Sequence, residues 1–411
     1  MKAGRGVLAA VVVLLVAAIC LGQAVLASPP FWETSYGGDR LEMGYSVQQT
    51  VDGGYILLGV TLSKGAGQRD AWLIKTDDKG KPLWDSTFGG GKDDWGRCVR
   101  QTVDGGYILA GSTFSLGAGQ ADAWLIKTDA SGAKQWERVF GGSEVDLGCA
   151  VQQTDDGGYV LVGWTESKGA GSADAWLIKT NPNGLREWER TFGGGNWDAG
   201  YSVEQTSDGG YVLLGHTKSR GAGKSDAWLI KTDARGNQLW ETVYGGPDDD
   251  VGRWLRQTRD GGYILVGWTK SKGAGGADIW LIRTDADGTR QWERTFGGGG
   301  DDWGRCVQQT RDGGCILLGS TTSFNAEHSY DFWLIKVDGH GTKLWDKTFG
   351  TPYWDRGRHV EQTTDGGYVL IDRYGTLVSW NANPSSSSSK TRRRSRSSSI
   401  SSCRPRATRR S

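Results

Sequence analysis

One tripeptide, Asp-Gly-Gly, marks out almost the whole chain: it recurs at Asp52, Asp104, Asp156, Asp208, Asp260, Asp312 and Asp365. The spacing is 52 residues five times and then 53. A unit of this size cannot bury its apolar faces alone, so each copy must pack against its neighbours in a repeat array. The copies run without a break from Phe31 to Leu370, which favours one large body over several ordinary domains.

The 66 Gly and 21 Trp sit in short aromatic and β-branched runs separated by turns. No long segment with a 3.6-residue apolar period interrupts them, so the body is expected to be all-β. In the copy from Gly96 to Asp146 the runs Arg97 to Thr102, Gly106 to Thr113, Asp122 to Thr128 and Lys134 to Gly141 predict four strands, which make one propeller blade. Val103-Asp104-Gly105-Gly106 and Thr128-Asp129-Ala130-Ser131-Gly132 supply residues for the two tight hairpins. First strands begin after Gly44, Gly96, Gly148, Gly200, Gly252, Gly304 and Gly357, which makes seven. The last copy lacks its outer strand, but Trp32-Glu33-Thr34-Ser35-Tyr36-Gly37-Gly38 matches Trp84-Asp85-Ser86-Thr87-Phe88-Gly89-Gly90. The expected fold is therefore a seven-bladed β-propeller of four-stranded blades over residues 28–380, its ring closed by an N-terminal outer strand in the last blade. Closure removes exposed sheet edges. Six blades with a stray end, or eight, are the alternatives.

The stretch Leu73-Ile74-Lys75-Thr76-Asp77-Asp78-Lys79-Gly80-Lys81-Pro82-Leu83-Trp84 resembles the repeat of the quinoprotein alcohol dehydrogenase-like propellers, in which an Asp, a Gly and a Trp mark the last hairpin of each blade. The Gly-Gly pair before a strand, the Asp-aromatic strand and the distant Trp also resemble kelch and galactose-oxidase blades. The likeness covers all seven copies and implies architecture; a shared fold does not carry a shared activity.

Residues 1–27 read as an export signal. Lys2 and Arg5 precede the apolar run Val7 to Leu21, and Val25-Leu26-Ala27 offers small residues for cleavage before Ser28, which places the ring outside the cytoplasm or on the cell surface. An uncleaved anchor is the alternative, and a lipid attached at Cys20 is disfavoured by Ile19 before it. The repeat stays in step to Leu370 and fails at Asp372, where every earlier copy has Gly. Tyr374 to Trp380 is expected to give a poor third strand, and residues 381–411 a disordered Ser/Arg-rich tail. A frame shift or terminal replacement would account for the lost end of the seventh blade. The formal net charge of +1 divides into nine cations on that tail, two on the signal and −10 on the ring, and a net-acidic ring is a poor partner for nucleic acid. Cys98, Cys149, Cys306, Cys315 and Cys403 have no CxxC spacing. A Cys98–Cys149 bridge between blades is conceivable, but unpaired small apolar residues are the preferred reading.

Comparing the copies separates scaffold from site, since a residue in every blade serves the blade and one that departs is free to serve a ligand. Asp70, Asp122, Asp174, Asp226, Asp278 and Asp331, together with Glu42, Asp94, Asp146, Asp198, Asp250, Asp302 and Asp355, are expected to fasten turns by accepting backbone N–H bonds; a carboxylate ring for a cation is the lesser reading. Trp84, Trp136, Trp188, Trp240, Trp292 and Trp345 are expected to wedge between blades. Gln48, Arg100, Gln152, Glu204, Arg256, Gln308 and Glu361 share one strand position and are expected to form a watered channel wall. The departures collect on the face that carries the loops before first strands and after second strands: Trp95, Trp197, Trp303 and Trp354, then Trp164, His216 and Trp268, with Arg97, Arg253, Arg305 and Arg358 entering the channel. Aromatic platforms beside Arg suit sugars, peptides or aromatic groups; packing under long loops is the alternative for some of these Trp.

The function expected from these residues is a secreted or cell-surface noncatalytic binding module, monomeric, with a glycan or protein ligand on the Trp/Arg face. No cofactor or metal is expected. There is no adjacent Cys-Cys pair, and His216, His328, His340 and His359 lack a metal-ligand spacing. The alternatives are a quinoprotein-like oxidoreductase, a carbohydrate-active enzyme needing only two carboxylates, and a structural repeat protein of a cell envelope.

Overall fold

A computed structural model describes residues 32–324, 330–350 and 355–380. The segments read as export signal and basic tail, and with them Cys20, Cys403, His328 and Trp354, lie outside the described residues. The described residues form 28 strands and no helix, in seven four-stranded antiparallel sheets. Among them no helix is long and apolar enough to cross a membrane. In the second blade the strands are Asp94–Gln101, Tyr107–Thr113, Asp122–Thr128 and Lys134–Phe140, so only the inner strand departs appreciably from expectation, by starting earlier. The two middle strands are buried along their whole length, because neighbouring blades cover both sheet faces. The outer strand starts exposed and ends at buried Phe140.

The repeated residues hold blade to blade. Trp84 meets Tyr107 of the next blade at 5.9 Å between ring centroids, and Trp136 and Trp188 meet Tyr159 and Tyr211 in the same way. Each such Trp lies under the next blade's last hairpin. A Cβ on Gly132, whose φ is +81°, would come within 2.4 Å of the Trp84 ring. The Asp94 carboxylate takes N–H from Gly90 at 2.7 Å and O–H from Ser115 at 2.6 Å, and Asp70 takes the Ala66 N–H at 3.0 Å, as turn fasteners should. Asp104 is gripped by Lys127 Nζ at 2.8 Å and by the Gly106 N–H at 3.0 Å. Cys98, Cys149, Cys306 and Cys315 are all free.

Residues of the expected polar channel wall also tie one inner strand to the next. Gln48 accepts the Gln101 N–H at 2.7 Å, Gln152 the Gln205 N–H at 2.7 Å, and Glu204 the Gln257 N–H at 2.7 Å. These side chains are staples from one inner strand to the next, satisfying backbone donors that the sheet leaves open.

Ring closure uses the same parts. Trp32–Ser35 pairs antiparallel with Thr376–Trp380, Trp32 opposite Ser379, and Trp32 stands 5.7 Å from Tyr55 of the first blade. Glu361 accepts the Gln49 N–H at 2.6 Å, and the Gln49 side chain accepts the Thr364 N–H at 2.7 Å. The third strand expected to be poor is paired on both sides, with Leu377 and Val378 buried. Trp380 lies parallel to Tyr368 and edge-on to Trp345 at 4.7 Å. Asp372 makes this possible. Its carboxylate accepts the N–H groups of Tyr374 at 2.8 Å and Thr376 at 2.7 Å, and Gly375 at φ +74° completes the turn. The break in the repeat is thus a tight hairpin in place of the long loop.

Candidate functional site

Every inner strand carries a bulge at the same place. The ladder skips the residue after each first-strand glycine, leaving Tyr45, Arg97, Cys149, Tyr201, Arg253, Arg305 and Arg358 unpaired in register. A bulge turns its extra residue out of the ladder, and here seven of them line one level of the channel. The glycines permit it by close approach. A Cβ on Gly111 would lie 1.8 Å from the Trp95 carbonyl, and one on Gly96 would lie 2.7 Å from Leu58 of the preceding blade.

The seven side chains converge from different blades. Tyr201 feels the charges of Arg253, Arg97 and Arg305, and Arg305 feels those of Arg253, Arg358 and Arg356. Arg253 lies 4.2 Å over the Tyr201 ring, Arg358 5.0 Å over Tyr45 and Arg305 6.0 Å over Trp303. The Nε atoms of Arg97, Arg253, Arg305 and Arg358 are all buried without a hydrogen-bond partner. Burial first, then the neighbouring guanidinium groups, pushes Arg305 well below its ordinary range. Arg358 is brought down to about 10 by burial and by Arg373, Arg97 and Arg356, against the pull of Tyr45. No carboxylate stands among the groups that act most on either.

Trp254, one residue beyond Arg253, reaches across the channel. Its ring lies 4.9 Å from His359 two blades on and beneath Arg100, a residue of the second blade, at 5.5 Å. Arg256 approaches the same ring at 5.6 Å. His359 is kept neutral by burial and by Arg100 and Arg256. The arginine level therefore has a floor.

Around the mouth the expected residues fall into groups. Trp164 pairs with Trp197 at 4.7 Å, and Trp268 with Trp303 at 4.6 Å, each pair tilted by 55°. Trp268 is only 7 % exposed and packs with Val251, Ala277, Tyr201 and Trp303. Trp95 meets Tyr45 edge-on at 6.3 Å under the Arg69 guanidinium. His216 stacks on Tyr201 at 5.5 Å, and burial together with Arg253 and Lys218 lowers its pKa to about 3. Tyr45, Cys149 and Tyr201, which comparison of the copies passed over, occupy the same column as the four arginines. Trp254 was equally visible as the lone large aromatic at a position held by Ser46, Cys98, Ala150, Ser202, Cys306 and His359. Two small voids among the described residues lie between blades, against Leu58 and Ile371 and against Leu214 and Trp280, and belong to packing.

No family model matches the sequence, and no curated protein matches it. Among solved structures, streptogramin B lyase is similar at 12 % identity and TM-score 0.55, covering 86 % of this chain and 98 % of that one. The WD40 propeller domain of Doa1 is similar at 12 % identity and TM-score 0.54, covering 87 % and 97 %. The WD40 domain of Neurospora crassa Pan2 is similar at 11 % identity and TM-score 0.51, covering 82 % and 88 %. At such identities the likeness speaks for architecture alone, and by architecture the chain is a seven-bladed β-propeller.

Proposed function

We propose that the protein is a noncatalytic binding module whose ligand is a protein presenting acidic groups, docked on the loop face over the channel mouth. One observation carries the reading: four guanidinium groups converge there with buried, unpartnered Nε atoms. A buried donor left unsatisfied beside like charges is costly to the free protein, and a ligand that supplies the missing acceptors relieves that cost on binding. A protein ligand is favoured over a neutral glycan by the aromatic geometry. Sugars stack on open, flat ring faces, whereas the Trp164–Trp197 and Trp268–Trp303 pairs are tilted onto one another. Export on the segment of residues 1–27, and action as a monomer outside the cytoplasm, belong to the same proposal.

The test is binding of the ring, residues 28–380, to an array of acidic peptides beside an array of neutral and acidic glycans. Acidic peptides should bind, more weakly as salt rises. The double variant Arg253→Gln/Arg358→Gln should lose about tenfold or more in affinity, the size expected for loss of one charge-assisted hydrogen bond. Retention by neutral glycans, with no peptide bound, would overturn the reading.

A further inference from the structure

We propose that the bulge-level ring is a preformed site for a doubly charged tetrahedral oxyanion, of the phosphate or sulfate class. The inference deepens the preceding reading and rests on it, since the site lies at the centre of the proposed docking face. Three features of the ring point to this chemistry.

The first is charge. Arg97, Arg253, Arg305 and Arg358 face one another without a carboxylate close enough to rank among the main influences on Arg305 or Arg358, so a single negative charge would leave most of the repulsion in place. The second is direction. A carboxylate accepts in one plane, whereas these donors approach an axis from the second, fifth, sixth and seventh blades, with the Tyr201 hydroxyl from the fourth. A tetrahedral group offers oxygens to donors on all sides, and guanidinium forks suit it. The third is depth. Trp254 crosses the channel next to the ring, held among His359, Arg100 and Arg256. The ring therefore has a floor on the Trp254 side and is approached from the loop face. The stacking of Arg253 on Tyr201 and of Arg358 on Tyr45 holds the forks in place before the anion arrives, which reduces the entropy lost on binding.

A site built from like charges has a signature that a structural cluster lacks. Removing one arginine should stabilise the empty protein and abolish stabilisation by the anion. Thermal unfolding of the full chain is measured in a buffer free of multivalent anions, then with about 10 mM inorganic phosphate or sulfate, and with chloride or acetate at matched ionic strength. Phosphate and sulfate should raise Tm by about 5 °C more than chloride or acetate do. Arg305→Met should raise Tm of the anion-free protein by about 3 °C and lose the phosphate response; Arg358→Met serves as the second variant. Competition by a phosphoserine peptide, but not by its serine counterpart, would place the anion on a protein ligand, and its failure against inorganic phosphate would make the anion a free one. The proposal is overturned if acetate matches phosphate, if phosphate gives no more than chloride, or if the phosphate response survives in both variants. If phosphate fails while acidic peptides still bind, only the oxyanion site is lost; if both fail, the docking face goes with it.

Discussion

Asp104 and Arg305 show how differently this chain treats two charges. Asp104 is hydrogen-bonded by Lys127, Thr102 and the Gly106 N–H, and although burial works against its charge these partners hold it at about 2; Asp208 in the fourth blade sits at about 2 in the same way. A carboxylate depressed in the folded state contributes stability that is complete above its unfolded value near 4 and lost as pH falls toward 2. Asp372 is the opposite case. Burial, with Asp355 nearby and against two backbone N–H bonds, raises it to about 6. Between pH 4 and 6 the folded protein holds a proton that the unfolded chain has released, so stability falls as pH rises through that window. Tm should therefore decline from pH 4.5 to 7 by a component that Asp372→Asn removes, because Asn keeps an acceptor for the turn. An unchanged pH profile in that variant would show that the carboxylate is not the source. Sequence comparison identified the Asp columns as fasteners because they repeat. It did not identify Asp372 as a turn-former, since a residue present once offers no column to compare. Among the site residues, the four Arg were legible as departures, while the burial of their Nε atoms without an acceptor is a property of three-dimensional convergence.

At the scale of the strand, the apolar runs determine which elements are buried. Trp124 in the third strand is 2 % exposed and donates its Nε1–H to Glu137 at 3.2 Å; Trp124→Ala should destabilise the protein by about 3–5 kcal/mol. Trp303→Ala should cost less, because Trp303 belongs to a small satellite cluster with Trp268, Val251 and Ala277, and it should weaken ligand binding. Equal losses in denaturant unfolding would dissolve the distinction between scaffold and site. Strand positions and hairpins were readable from alternation and turn residues. The bulge was not, because its signal is a register shift that depends on the Gly111 and Gly96 columns both lacking a Cβ. Gly111→Ala should be severely destabilising, since its Cβ would meet backbone at 1.8 Å rather than a movable side chain. Normal expression and melting of that variant would argue against the close approach that creates the bulge.

For the whole molecule, the number of blades followed from counting first strands, and closure from the match between the two ends, both of which need only the repeat. Deleting residues 31–38 removes the Trp32–Ser35 strand and the Tyr36 hydroxyl that donates to the Gly80 carbonyl at 2.6 Å. It also reopens a sheet edge, so Tm should fall by at least about 5 °C with loss of cooperativity. An unaltered melting curve would mean that the ring closes elsewhere. What no repeat could convey is the use of the ring, since seven equivalent positions carry four arginines, two tyrosines and a cysteine, and only the closed circle brings them together over Trp254. The most direct test is anomalous diffraction from crystals of the ring soaked in tungstate, a heavy tetrahedral dianion. A single dominant peak is expected on the channel axis, within hydrogen-bonding reach of Arg305 and Arg358 on the loop-face side of Trp254. A channel without tungstate, with peaks only at surface lysines and arginines, would contradict it.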